Sequence, residues 1–221
     1  MTHSEPDAEV ARLAALPVSV LADALDRLGC RSQAMEHRIR PLDTELASLA
    51  GRAFTIAATA TDELVENPYA HELAAVDATP PGAVVVLATG GCLEVAVWGE
   101  LLTTRMLARG GAGIVTDGGM RDIAGIRRLG VPAFAAAITP RDSFGRALVT
   151  GWGRAVRCGG VDIAPGDLVR GDEDGIVAVP AALAATALAA AEEKLGLEHM
   201  VLDGLARGET AADLYNRHGV L

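Results

Sequence analysis

Residues 113–138 constrain the fold more than any other stretch of the chain. Gly113-Ile114-Val115-Thr116 is a short apolar run suited to a buried strand, and Asp117-Gly118-Gly119 reads as a turn. Ile123 to Leu129 has the spacing of a short helix closed by Gly130, and Val131 to Ile138 is a second apolar run. Strand, turn, helix, strand units build parallel sheets, whose ligands collect at the carboxyl ends of the strands. Arg121 and Asp122 stand at such an end, so the unit predicts both an α/β fold and a place for its chemistry.

The segment before this unit predicts a helix from Leu101 to Arg109, entered through Trp98-Gly99 and stopped by Gly110-Gly111. Its first turn would leave the N–H groups of Gly99 to Leu102 unpaired at the positive end of the helix dipole, where a carboxylate fits without a basic side chain. Glu100, followed after twenty residues by Arg121-Asp122, adds an acid at one helix start and a guanidinium-carboxylate pair after a strand. Such a set suits a divalent metal held beside the carboxylate of a bound 2-oxo acid. A 2-oxo acid chelates a hard cation through its carboxylate and keto oxygens, and Mg2+ needs only one or two protein carboxylates. Arg121 would pin the acid through its planar donor fork, and Glu100 would orient a metal-bound water that acts as a base. Plainer readings exist: Arg-Asp after Gly-Gly is common in turns where Asp caps the next helix, and Glu100 alone is an ordinary first-turn acid.

Other elements are legible by the same signals. A helix is expected from Val20 to Leu28, with Ser19 as N-cap, Gly29 as stop, and Asp23 and Asp26 on its solvated face. Ala83 to Ala88 reads as a strand, and the Gly90-Gly91 after it either helps line a pocket or forms a tight turn. Arg154 to Cys158, Val161 to Ile163, Asp167 to Val169 and Gly175 to Val179 are short strand-like pieces, followed by an Ala-rich helix from Ala181 to Leu195 that Met200 to Arg207 extends. Half of the 221 residues are apolar and only 3% are aromatic, so the core should be packed from small aliphatics. No linker divides the chain, which reads as one domain over 1–221, with 1–16 as an N-terminal extension and 180–221 as a C-terminal helical segment.

Several chemistries are disfavoured. The chain has one lysine, Lys194, in a polar helical stretch where a solvated surface position is expected, so catalysis through a Schiff base is not. His71-Glu72 begins like a zinc protease motif, but position 75 is Ala75, and His37, His199 and His218 have no partner at ligand spacing. Asp172-Glu173-Asp174-Gly175 lacks the remaining ligands of a calcium loop and reads as a hairpin turn. Gly110-Gly111-Ala112-Gly113 precedes a strand instead of joining a strand to a helix, so it is no nucleotide loop. A net charge of −10 argues against direct contact with nucleic acid. No twenty-residue apolar span predicts a membrane segment, the start from Met1 to Glu5 has no signal core, and Cys30, Cys92 and Cys158 suit reduced thiols: a cytoplasmic protein is expected.

The stretches EVAVWGELLTTRMLARGGAGIVTDGGMRD, IRRLGVPAFAAAITPRDS and VRCGGVDIAPGDLVRGDEDGIVAVP resemble the RraA-like family. The resemblance runs from about Val18 to Glu193 and is most specific between Gly99 and Asp122. It implies a swivelling β/β/α fold, a mixed sheet flanked by helices, and a homotrimer or a hexamer of two trimers with sites near subunit contacts. The family contains class II aldolases that release pyruvate from 4-hydroxy-4-methyl-2-oxoglutarate or 4-carboxy-4-hydroxy-2-oxoadipate, together with regulators of ribonuclease E activity. By resemblance, Gly99, Glu100, Leu101 and Leu102 form the substrate-binding turn, Arg121 binds substrate, and Asp122 is the direct ligand to Mg2+ or Mn2+. The acid at Glu100 matches the aldolase branch, where Asp or Glu precedes Arg-Asp by twenty residues. An oxaloacetate decarboxylase activity is expected alongside, since both reactions leave the enolate of pyruvate. In the oligomer, Glu193 or Glu198 would reach a neighbour's site. Distal substrate groups would meet the loops around Asp62 to His71 and Arg141 to Arg146, with Arg141 or Arg146 either binding a second carboxylate or forming surface salt bridges. The alternative function is a non-catalytic regulator of ribonuclease E acting by protein contact through its acidic surface. Methyl transfer to a quinone precursor, also attached to the family, lacks the glycine-rich loop after a strand that a nucleoside cofactor needs.

Overall fold

A computed structural model describes residues 7–220; the start from Met1 to Glu5 read above lies outside the described residues. Two helices, α1 (Ala8–Ala14) and α2 (Val18–Arg27), precede the sheet. The chain then runs β1 (Arg40–Pro41), β2 (Leu49–Ala60), α3 (Ala70–Asp77), β3 (Ala83–Ala88), β4 (Ala96–Trp98), α4 (Glu100–Ala108), β5 (Gly113–Met120), α5 (Ile123–Arg128) and β6 (Ala133–Ile138). After these come β7 (Ala147–Trp152), the hairpin β8 (Val156–Cys158) and β9 (Val161–Ile163), the hairpin β10 (Leu168–Asp172) and β11 (Gly175–Val179), α6 (Ala184–Ala206) and α7 (Ala211–His218).

The helices between β2, β3, β5 and β6 make those four strands parallel neighbours, because a crossover returns the chain in the same direction. The sheet order is β1-β6-β5-β3-β2-β10-β11, with β4 beside the end of β5 and β7 beside the end of β2. Strands β1, β7, β10 and β11 are antiparallel additions, so the sheet is mixed and flanked by helices. Buried on both faces, β3 reads as a continuous apolar run, Ala-Val-Val-Val-Leu-Ala. Val85 and Leu87 pack with Ile114, Met106 and Ile126 on the side of α3, α4 and α5, whereas Val84 and Val86 pack with Val115, Phe134 and Ile176 on the other. A third cluster joins α1, α2 and α6 to Leu168, Val177 and Val179 of the hairpin. Apart from Phe134, the largest fully buried side chains are aliphatic or Met, as the composition implies.

Three local expectations are corrected. Asp117-Gly118-Gly119 is not a turn: β5 continues through it, buried along its length. The Asp117 carboxylate accepts the Thr89 N–H at 2.7 Å and the Thr89 hydroxyl at 2.9 Å, so it is satisfied inside the sheet. A Cβ on Gly118 would lie 2.5 Å from Thr89 Oγ1, and one on Gly119 would lie 2.7 Å from the Val95 carbonyl oxygen. Glycine serves close approach here, and the pairing with β6 slips between Thr116 and Gly119, bending the strand end towards β4. Second, Ser19 is not the cap of α2. The helix starts at Val18, whose N–H donates to the Asp172 carboxylate at 2.8 Å, a cap supplied from the β10–β11 hairpin. Third, Lys194 is not solvated. Its side chain is 5% exposed and its ammonium is paired with Asp23, at 2.9 Å, and with Glu198, tying α2 to α6.

Candidate active site

The site forms where two parallel strand ends meet. Trp98 at the end of β4 aligns with Met120 at the end of β5, and the Arg121 N–H donates to the Trp98 carbonyl at 3.1 Å. Gly99-Glu100 and Arg121-Asp122 are therefore neighbours in space. The start of α4 is fixed from below: the Trp98 indole N–H donates to the Thr103 hydroxyl at 2.9 Å, which donates to the Gly99 carbonyl at 2.9 Å, both buried.

Asp122 is the only non-glycine residue among the described residues with positive φ, at 59°. This left-handed conformation costs an L-residue about 1 kcal/mol or more and accumulates where geometry serves function. Although Asp122 occupies the N-cap position of α5, its side chain makes no capping hydrogen bond there. It turns instead towards α4, where the Glu100 N–H donates to Oδ2 at 3.4 Å, and its side chain stays 45% exposed. Gly99 makes this approach possible, because a Cβ there would stand 2.7 Å from Asp122 Oδ2. The ordinary explanation of an Asp at this position, capping its own helix, is thus the one contact it does not make.

A cavity of about 330 Å3 opens beside the pair. Arg121 and Asp122 border it together with Gly99, Leu101 and Leu102 from the α4 turn, and Trp98, Ala96 and Val97 form an apolar wall. Leu101 is 81% exposed at the rim. Arg121 Nη1 lies 3.2 Å from Asp142 Oδ1, and its Nε lies 3.7 Å from Asp122 Oδ2. Burial works to raise the Asp142 carboxyl, but the Tyr69 hydroxyl, Arg121 and the backbone N–H groups of Ser143 and Phe144 together hold it below the usual carboxylate range. The hydrogen bond to Asp142 in turn raises the Tyr69 hydroxyl.

Glu100 stands apart from this cavity. Its carboxylate lies over Gly125 of α5, where a Cβ would come within 2.1 Å of it, and it reaches Arg128 Nη2 at 3.4 Å. Arg141 pairs with Glu94 at 2.9 Å, and Arg146 donates to the carbonyls of Asp142 and Phe144, so neither borders the cavity. Gly90 and Gly91, with φ of 68° and 76°, form a turn away from it. Glu198 is held by Lys194 of its own chain.

Tyr69, Glu72 and Asp142 are polar cavity residues to which the sequence assigns no role in the site. The loops that hold or flank them were expected to meet distal groups, but Glu72 stands out in sequence only as the start of a zinc protease motif that fails at Ala75, and no motif marks Asp142; only the fold brings them to Arg121. Burial first, and then the Asp142 charge, push the Glu72 carboxyl up to about 7 against the opposing effects of Arg121 and a hydrogen bond to Ser143. Among the described residues no group of three or more His, Cys, Asp or Glu is arranged to hold a metal by itself. One exposed, uncapped carboxylate beside an open cavity nevertheless fits a hard cation whose remaining ligands are substrate oxygens and water.

A mixed sheet whose parallel strands end at an arginine-aspartate pair and a helix N-terminus defines an α/β protein with a candidate site at its strand ends. Residues 18–178 match the RraA-like family, described as Aldolase/RraA, and the chain belongs to it. A protein of Halalkalibacterium halodurans named "Putative 4-hydroxy-4-methyl-2-oxoglutarate aldolase" is 31% identical over 183 residues, 81% of this chain and 80% of the relative. Among solved structures, an uncharacterized protein of Pseudomonas syringae superposes with a TM-score of 0.85 at 25% identity, covering 98% of this chain and 97% of that one. Streptomyces coelicolor RraAS2, described as an unusual member of the RNase ES inhibitor RraA protein family, gives 0.81 at 30% identity, covering 89% and 98%. Among the described residues no helix is long and apolar enough to cross a membrane.

Proposed function

We propose that the protein is a divalent-metal-dependent class II aldolase that cleaves 4-hydroxy-4-methyl-2-oxoglutarate or 4-carboxy-4-hydroxy-2-oxoadipate to release pyruvate, and that it also decarboxylates oxaloacetate. The observation that carries this reading is Asp122, held in a left-handed conformation, uncapped, and facing a cavity beside Arg121. The aldolase name of the Halalkalibacterium relative supports the same reaction.

In this reading Arg121 takes the carboxylate of the 2-oxo acid, turning part of its donor fork from Asp142 to the substrate. The N–H groups of the Gly99 to Leu102 turn assist, that of Glu100 being shared with Asp122, and the apolar wall of Trp98, Ala96 and Val97 keeps water from the reacting carbons. Asp122 would hold Mg2+ or Mn2+, which supplies Lewis-acid stabilisation to the charge that develops on the keto oxygen. Glu100 would accept a proton at the rim, for which its carboxylate must leave Arg128. The family's homotrimer or hexamer is the proposed assembly, and the cytoplasm the proposed compartment.

Pyruvate release from both substrate types, measured with Mg2+ or Mn2+, checks the reaction. Arg121→Ala should abolish both activities and leave the circular dichroism spectrum unchanged; retained turnover in that variant would remove Arg121 from the mechanism. Similarity to RraAS2 supports a second reading, regulation of ribonuclease E by protein contact. A salt-sensitive complex with the nuclease, without metal-dependent turnover, would favour it.

A further inference from the structure

The cavity has a mismatch with the di- and tricarboxylates just proposed. Among the described residues bordering it, Arg121 is the only cationic side chain, and it already leans on Asp142 and Asp122. Arg141 and Arg146, the arginines expected to serve a second carboxylate, are engaged elsewhere. A 2-oxo monoacid needs nothing more, whereas a 2-oxo diacid brings a second carboxylate into a wall that offers Glu72.

The groups facing Glu72 decide what form it takes. Tyr69 precedes its own helix, Asp142 and Ser143 come from the loop after β6, and Arg121 and Asp122 come from the turn before α5. The neighbouring His71 interacts through Nδ1 with the Val149 carbonyl of β7 at 3.1 Å, and Asp77 at the end of α3 pairs with Arg105 of α4. Glu72 and Asp142 therefore share one guanidinium. Asp142 keeps its charge, because Arg121 and the Tyr69 hydroxyl both bind it directly. Glu72 is left half-buried beside a like charge, which favours its neutral form near pH 7. A neutral carboxyl donates an O–H hydrogen bond, the contact a substrate carboxylate requires where no cation is present.

We propose that Glu72 is a specificity residue for the second carboxylate of the substrate: as the neutral acid it donates a hydrogen bond to that group, so that in alkaline solution, where free Glu72 is ionised, binding a 2-oxo diacid draws close to one proton from solution and binding pyruvate draws none. The proton goes to a Glu72 carboxylate oxygen, no bond to the substrate changes, and the diacid stays ionised. This inference rests on the reading of the cavity as an acid-binding site. It adds that discrimination between monoacids and diacids depends on pH.

Calorimetric titration at pH 8 in two buffers of different ionisation enthalpy tests it, with Mg2+ present and with 2-oxoglutarate and pyruvate as probes. Without a 4-hydroxyl, 2-oxoglutarate cannot undergo the cleavage. The wild type should take up close to one proton with 2-oxoglutarate and close to none with pyruvate, and its 2-oxoglutarate Kd should weaken about tenfold per pH unit above 7. Glu72→Gln, whose amide still donates, should bind 2-oxoglutarate without proton uptake and with a flat pH dependence. Asp142→Asn, which removes the like charge, should move the onset of weakening to lower pH. Unchanged proton uptake in Glu72→Gln, or tight 2-oxoglutarate binding without uptake in the wild type, would overturn the inference. Binding of pyruvate alone would also overturn it while leaving the acid-site reading intact; binding of neither probe would overturn both.

Discussion

Asp117 and Asp122 lie five positions apart on the same run of chain, and they are opposites. Asp117 is 4% exposed, within β5, with its carboxylate bound by the backbone and side chain of Thr89 and approached by the Gly159 N–H at 3.5 Å. Asp122 is exposed and left-handed, accepts a single N–H at the limit of hydrogen-bonding distance, and lies 3.7 Å from the Arg121 guanidinium. A buried acid with its lone pairs occupied has no capacity left for a ligand, so its work is to hold β3, β5 and the β8–β9 hairpin together. An acid kept in a costly conformation with only long contacts at one of its oxygens has capacity left for a ligand. Identity and neighbourhood in sequence do not separate the two; satisfaction and strain do.

Exchanging the two roles by mutation is the strongest way to break this contrast. Asp122→Asn should lower turnover by about a thousandfold, roughly 4 kcal/mol of transition-state stabilisation, while the thermal midpoint stays within a degree or two. Asp117→Ala should do the reverse, costing about 3 kcal/mol in a denaturant melt because the Thr89 and Gly159 donors are left buried and unmatched, with turnover retained in the folded fraction. Equal losses of activity and stability in both variants would erase the distinction.

Gly99→Ala sharpens the comparison. Its Cβ would push Asp122 Oδ2 away, and turnover should fall by about tenfold to a hundredfold with little change in stability. Lys194→Met tests a charge that is buried and paired: we expect a loss of about 1 to 2 kcal/mol in stability and unchanged turnover. The smallest effect is a pH dependence. The folded-state value of Glu72 lies above its unfolded value, so the folded chain binds the extra proton. Its contribution is fully present below the ordinary glutamate value of 4.5 and is lost as pH rises through about 7. Glu72→Gln should flatten that part of a stability-pH curve.

Much of this was legible from residues alone. The helix at α5, the strand β3 and the hairpin turn at Asp172 to Gly175 follow from apolar periodicity and glycine punctuation, and the structure has them where the pattern predicts. The long strand β2 carries no such signature: Leu49 to Ala60 is rich in Ala and Thr, and its identity comes from pairing with β3 on one edge and with β10 and then β7 on the other. Asp117-Gly118-Gly119 misled for a related reason, since glycine at a close tertiary approach looks the same in sequence as glycine in a turn. Lys194 was misplaced because Asp23, on another helix, supplies part of the compensation that lets it be buried. At the site, local spacing brought out the α4 turn and the Arg121-Asp122 pair. Glu72, Tyr69 and Asp142 come from helix α3 and from loops that reach the cavity only through the sheet's topology, and the docking of Glu100 on Gly125 is a contact between two helices that no motif encodes.

The central claim, that the strained Asp122 is the cation-holding group of an aldolase site, is tested most directly by pyruvate release from 4-hydroxy-4-methyl-2-oxoglutarate. The wild type and Asp122→Asn would be compared across a titration of Mg2+ and Mn2+ and in the presence of chelator. Turnover that rises with metal in the wild type, disappears with chelator and stays about a thousandfold lower in the variant at every metal concentration is the predicted result. Equal, chelator-insensitive turnover in both proteins would contradict it.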